Sequence, residues 1–190
     1  METMHAMARD AAGQIPPQRL LRDGDREVIQ RHRGRLLALG PEVVGALEEV
    51  LYGRLPEGAG ASRESLEYWW AQTVTGPWDD DYLARMALVG LMHVAKRVTN
   101  PTMLAASDHV VQLIADASVA FGIPDEERRA LLDAVGRAAG TVRVVIAWSH
   151  ERAVSAALYE AAGMPEGLLA RLRDQEVGAF LERARAELNL

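Results

Sequence analysis

The chain has 190 residues, 49% of them hydrophobic and 25% charged, with a formal net charge of −6 and a sequence pI near 5.4. That is ordinary composition for one globular domain, long enough to bury most of its apolar surface. Because there is no cysteine, disulfides, thiolate-held metals, iron–sulfur clusters and thiol nucleophiles are excluded. The acidic balance argues against general nucleic-acid binding, which needs a basic footprint. No apolar run is long enough to span a bilayer, and residues 1–17 have no apolar signal core. The expected setting is the cytoplasm, with neither nucleic acid nor membrane as a partner.

Residues 1–24, with their Pro16-Pro17 pair, read as a flexible or partly ordered leader. The arginines from Arg19 to Arg35, interleaved with Asp23, Asp25 and Glu27, read as a solvated helical face, and His5 and His32 as solvated histidines. A helix is expected over 25–39, closed by Gly40 with Pro41 opening the next. That second helix, 41–55, carries Val44, Leu47, Val50, Leu51 and Leu55 on one stripe, and a glycine-rich loop over 56–62 follows. Ser62 is placed to cap a helix bearing Leu66, Trp69, Trp70 and Thr73, which Gly76-Pro77 breaks. Asp79, Asp80 and Asp81 load negative charge where the dipole of a new helix favours it. This helix runs to about Val98. The next spans 101–121 and is stopped by Gly122-Ile123-Pro124. Residues 125–162 contain no proline and form one long helical block, with Gly136 and Gly140 as weak points that would admit another helix. Beyond Gly163-Met164-Pro165 a last amphipathic helix runs towards Leu188. The β-branched cluster 141–146 sits inside a helical pattern, so the fold class is all-α, with about seven helices and no sheet.

His93 is the histidine that stands out. One, two and three turns before it lie Val89, Met86 and Tyr82, so it shares a face with apolar residues. A buried imidazole needs a partner for each nitrogen. On spacing alone it is either a satisfied core histidine or a metal ligand. Gly90, one turn earlier, would admit a flat ligand or a close helix. His109 reads as exposed or helix-capping, with axial ligation as its alternative, and His150 as structural or surface. The three aspartates start a helix; adjacent helical residues do not face one metal. No phosphate loop, nucleophile elbow or H-E-x-x-H motif is present.

The stretch Thr75-Gly76-Pro77-Trp78-Asp79-Asp80-Asp81-Tyr82, followed by Leu88-Val89-Gly90-Leu91-Met92-His93 and then Pro101, resembles the signature of protoglobins and the globin domains of globin-coupled sensors. Tyr52 in Val50-Leu51-Tyr52-Gly53, Trp69 in Tyr68-Trp69-Trp70, and the run from Val144 to His150 match further positions of that family in order. The resemblance covers roughly 25–150. It implies a globin-like domain over 25–162, with an additional N-terminal helix and a C-terminal helical extension over 163–190. It also implies a non-covalent haem b whose iron is ligated by His93. Tyr52, Leu66 and Trp69 would then stand on the distal side, and Val89 and Met86 beside the proximal histidine. Lys96 and Arg97, just beyond His93, are placed either to meet the propionates by charge-assisted hydrogen bonds or to be solvated at the surface. The implied function is binding a diatomic gas (O₂, CO or NO) for sensing or storage. That is not a dedicated enzyme, although incidental haem redox chemistry would be available. A homodimer is expected, with the Ala- and Gly-rich surface from Gly136 to Ala147 allowing close helix approach. The segment between Tyr52 and Trp69 is shorter than in the family, and aromatics make up 5% of the chain. These two features keep a haem-free globin-fold regulatory or interaction domain as the alternative.

Overall fold

In a computed structural model of the chain, which describes residues 3–53 and 60–188, the protein is all-α, with no strand among those residues. Residues 56–59 of the expected loop lie outside the described residues, as does the end of the expected second helix. The elements are α1 (Met4–Ala12), α2 (Asp23–Arg31), α3 (Arg33–Ala38), α4 (Gly40–Leu47), α5 (Arg63–Thr75), α6 (Asp80–Ala95), α7 (Asn100–Ser118), α8 (Asp125–Ala162) and α9 (Glu166–Leu188). The chain divides into two compact units, Met1–Glu151 and Arg152–Leu190, the division falling inside α8.

Helix ends follow local chemistry. Three extended N-cap residues, Ser62, Asp79 and Thr99, each accept a hydrogen bond from a backbone N–H in the first turn of α5, α6 and α7. Gly76 (φ 70°), Gly122 (φ 65°) and Gly163 (φ 61°) take the left-handed backbone that a side chain disfavours. Two departures stand out. The expected helix over 25–39 is broken at His32, whose φ of −99° and ψ of 7° separate α2 from α3. The second helix leaves α geometry as a π turn over Glu48–Tyr52, a local insertion common at functional sites.

The residues expected as a leader contain α1. Thr3 caps it, Met7, Ala8 and Ala11 are buried, and the helix packs along α6. Two polar residues read as solvated are in the core. Asp25 is 6% exposed, because Arg137 of α8 donates to both its oxygens at 2.6 and 2.7 Å while the Arg22 N–H donates to Oδ2 at 2.9 Å. The arginine bonds hold the Asp25 carboxyl below its ordinary pKa. His32 is 1% exposed, its Nε2 3.1 Å from Glu127 Oε1. In both cases a residue more than ninety positions away on α8 removed from water what the local pattern left outside.

In the second unit, the end of α8 and all of α9 carry exposed apolar side chains, among them Leu158, Leu172, Phe180 and Leu188. Among the described residues no helix is long and apolar enough to cross a membrane.

Candidate functional site

The first unit encloses a cavity reached by α2 to α8. The π turn brings Leu51 and Tyr52 to it; α5 brings Leu66, Trp69 and Thr73; α6 brings Val89, Met92, His93 and Lys96. Met103, Val110 and Ile114 of α7, with Val142 and Ile146 of α8, complete an apolar wall. The cavity volume is about 220 Å³. Among the described residues the charged side chains on its wall are Lys96 and Arg143, and no carboxylate lines it.

His93 is 5% exposed and lines this cavity. Burial pushes its pKa down to about 4, with the neighbouring His150 adding to the shift, so the imidazole is neutral at pH 7. Its Nδ1 is buried and has no hydrogen-bond partner among the described residues. A buried polar atom left unpaired costs roughly 1–3 kcal/mol. The ring is therefore a neutral, incompletely satisfied nitrogen donor on an apolar wall.

The helix that carries His93 is fixed by close contact. A Cβ built on Gly90 would stand 2.0 Å from Ser149 Oγ and 2.5 Å from the Ile146 carbonyl oxygen. Of the two roles open to Gly90, close helix packing against α8 is the one observed. Below His93, the His93 carbonyl accepts from the Val98 N–H at 2.9 Å, and His150 Nε2 lies 3.1 Å from the Val98 carbonyl oxygen. That gives His150 the structural position expected of it. His109 is exposed.

The other site residues divide. Tyr52, Leu66, Trp69 and Val89 reach the cavity with His93. Tyr52 is half-buried: burial raises its pKa and the Ala61 N–H at its hydroxyl works the other way. Met86 and Arg97 do not line the cavity. Met86 stands behind Trp69, whose indole N–H donates to its sulfur at 3.4 Å. Arg97 follows the last turn of α6 with φ 58°, and this turn leaves it exposed while carrying Val98 inward. Lys96 does line the wall, its ammonium donating to the Gly60 carbonyl at 2.9 Å. The aspartate triad is split between local tasks: Asp79 caps α6 and Asp81 accepts from His5 at 2.8 Å.

Trp70 is a core residue, donating to the Leu36 carbonyl at 3.1 Å, and it also closes part of the cavity. Tyr82 is 1% exposed, with its hydroxyl 2.9 Å from Thr73 Oγ1; burial pushes its pKa up to about 12. Met92, Ser107 and Arg143 also line the cavity, and no motif or spacing in the sequence marks them. The helical spacing of Met103, Val110 and Ile114 marks a core face on α7, but nothing in it says that this face borders open space.

Around Gly136 a Cβ would meet nothing within 4 Å, and around Gly140 only the Arg19 guanidinium at 3.9 Å. Among the described residues neither glycine receives another helix. No protein-family model matches this chain, and no curated protein matches it significantly.

Proposed function

We propose that this chain is a haem-binding globin of the protoglobin and globin-coupled-sensor type, with His93 as the proximal iron ligand. The observation that carries the reading is the neutral, buried His93, with an unpartnered ring nitrogen, on the wall of an apolar cavity. A low pKa keeps the imidazole in the form a metal needs, and iron would supply the partner the ring lacks. The chemistry of the wall fits the group: apolar side chains for a porphyrin body, two cations for its carboxylates. Bound haem would supply the iron coordination position that takes O₂, CO or NO, for sensing or storage.

The residues of this chain do the rest. The α6–α8 contact at Gly90 holds the height of His93 above the cavity. Leu66, Trp69 and Val89 exclude water from it, and Tyr52 offers a hydroxyl from the π turn as a hydrogen-bond donor. A cytoplasmic homodimer belongs to the same reading.

One observation favours a second reading. The open volume of about 220 Å³ is below the roughly 300–1,000 Å³ of sites for drug-sized ligands. A haem-free regulatory domain with the same fold needs no more room than that. Titration with haemin separates the two. The haem reading expects stoichiometric uptake with a sharp Soret band and a ferrous–CO shift, both lost or strongly altered in His93→Ala. Folded wild-type protein that takes up no haemin overturns it.

A further inference from the structure

We infer that Arg143 binds a carboxylate of the cavity's ligand, and that Asp108 occupies the guanidinium until that carboxylate takes its place. The inference rests on the haem reading, in which the carboxylate is a haem propionate.

Arg143 lies on α8 beside Val142 and before Ile146, both on the cavity wall, and its own side chain lines the cavity while remaining 22% exposed. It therefore reaches from the apolar interior to solvent. A cation on such a wall needs a counter-charge, and no carboxylate among the described residues supplies one from the cavity side. Its partner is Asp108 of α7, to whose Oδ1 the guanidinium donates, and Asp108 is 69% exposed. An ion pair this exposed on one side is weak, because water solvates the released carboxylate well. Ser107, next to Asp108, also lines the cavity, so the pair stands at the rim where interior and solvent meet.

A ligand carboxylate arriving at this rim from an apolar body is screened less than Asp108 and can take two parallel N–H bonds from the planar fork. The exchange then favours ligands that join an apolar body to an anionic group. Lys96, the other cation on the wall, is engaged with the Gly60 carbonyl and supports the same sign of charge from α6. The selective contribution is assigned to Arg143, because its partner is a surface carboxylate that a second carboxylate can replace.

The test compares haemin with its dimethyl ester, which keeps the iron and the porphyrin but has no ionised carboxylate. Both are titrated into wild type, Arg143→Gln and Asp108→Asn, with circular dichroism melts to verify folding. Wild type is expected to prefer the free acid. Arg143→Gln is expected to lose about tenfold of that preference, the scale of one partly exposed charge-assisted bond, with ester affinity unchanged. Asp108→Asn, which removes the competitor, is expected to bind haemin about two- to fivefold more tightly. Haemin uptake with the same acid preference in wild type and folded Arg143→Gln overturns the inference and leaves the haem reading standing, as does weaker haemin binding by Asp108→Asn. Uptake of neither compound by wild type overturns the haem reading, and the inference with it.

Discussion

Replacing Gly90 with alanine tests whether the α6–α8 contact positions His93. The added methyl would stand 2.0 Å from Ser149 Oγ and 2.5 Å from the Ile146 carbonyl oxygen. The hydroxyl is held at 2.8 Å from the Val145 carbonyl and 3.0 Å from that of Ile146, but it can rotate. The Ile146 oxygen is backbone within α8, and relieving that contact moves one helix away from the other. Overpacking of this kind costs about 1–3 kcal/mol, and the helix preference for alanine over glycine returns up to about 1 kcal/mol. A net loss of roughly 1–2 kcal/mol lowers the melting temperature by about 2–8 °C in a protein of this size. Circular dichroism melts of the haem-free protein measure it. Gly136→Ala is the control, since its Cβ meets nothing within 4 Å, and it is expected to melt at or above wild type. Adding Ser149→Ala to Gly90→Ala should recover part of the loss, because the hydroxyl clash goes and the backbone clash stays. A Gly90→Ala protein that melts with or above wild type refutes the packing argument, and with it the claim that α8 sets the position of His93.

Three further outcomes follow from the same geometry. Asp25→Asn weakens the fork from Arg137, which is 17% exposed, and is expected to cost about 1–3 kcal/mol at neutral pH. Asp25 has a folded pKa below its unfolded value of 3.8, so its stabilisation is complete above that value and is lost as the pH falls through the lower folded one. Urea titrations below pH 5 should show a shallower acid loss in Asp25→Asn than in wild type. The haem-free protein should also lose stability as the pH drops from 6.5 towards about 4, because the unfolded chain protonates His93 while the fold keeps it neutral. His93→Leu should remove that slope, and equal slopes in the two proteins would contradict the burial assigned to the ring. Tyr82→Phe removes the bond to Thr73 and is expected to cost about 1 kcal/mol, read as a shift in the urea midpoint with the slope unchanged.

The residues that end helices carry their instructions within a few positions. Ser62, Asp79, Gly76-Pro77 and Gly122-Ile123-Pro124 therefore marked their elements in the sequence, and the apolar spacing before His93 placed it on a buried face. Those signals act through local backbone angles and first-turn hydrogen bonds, which the intervening fold hardly alters. What only the tertiary structure decided involves partners far apart in the chain. Asp25 reads as solvated until Arg137 stands beside it, His32 until Glu127 does, and Gly90 could have faced a ligand until Ser149 and Ile146 filled its space. Arg97 lies four positions after His93 yet turns to solvent, because its own left-handed backbone ends the helical register. Arg143 has no local signal that singles it out, and it lines the cavity while bonded to Asp108 of α7, thirty-five positions away. Burial and charge pairing between distant residues depend on which faces pack together, and local sequence does not encode that distance.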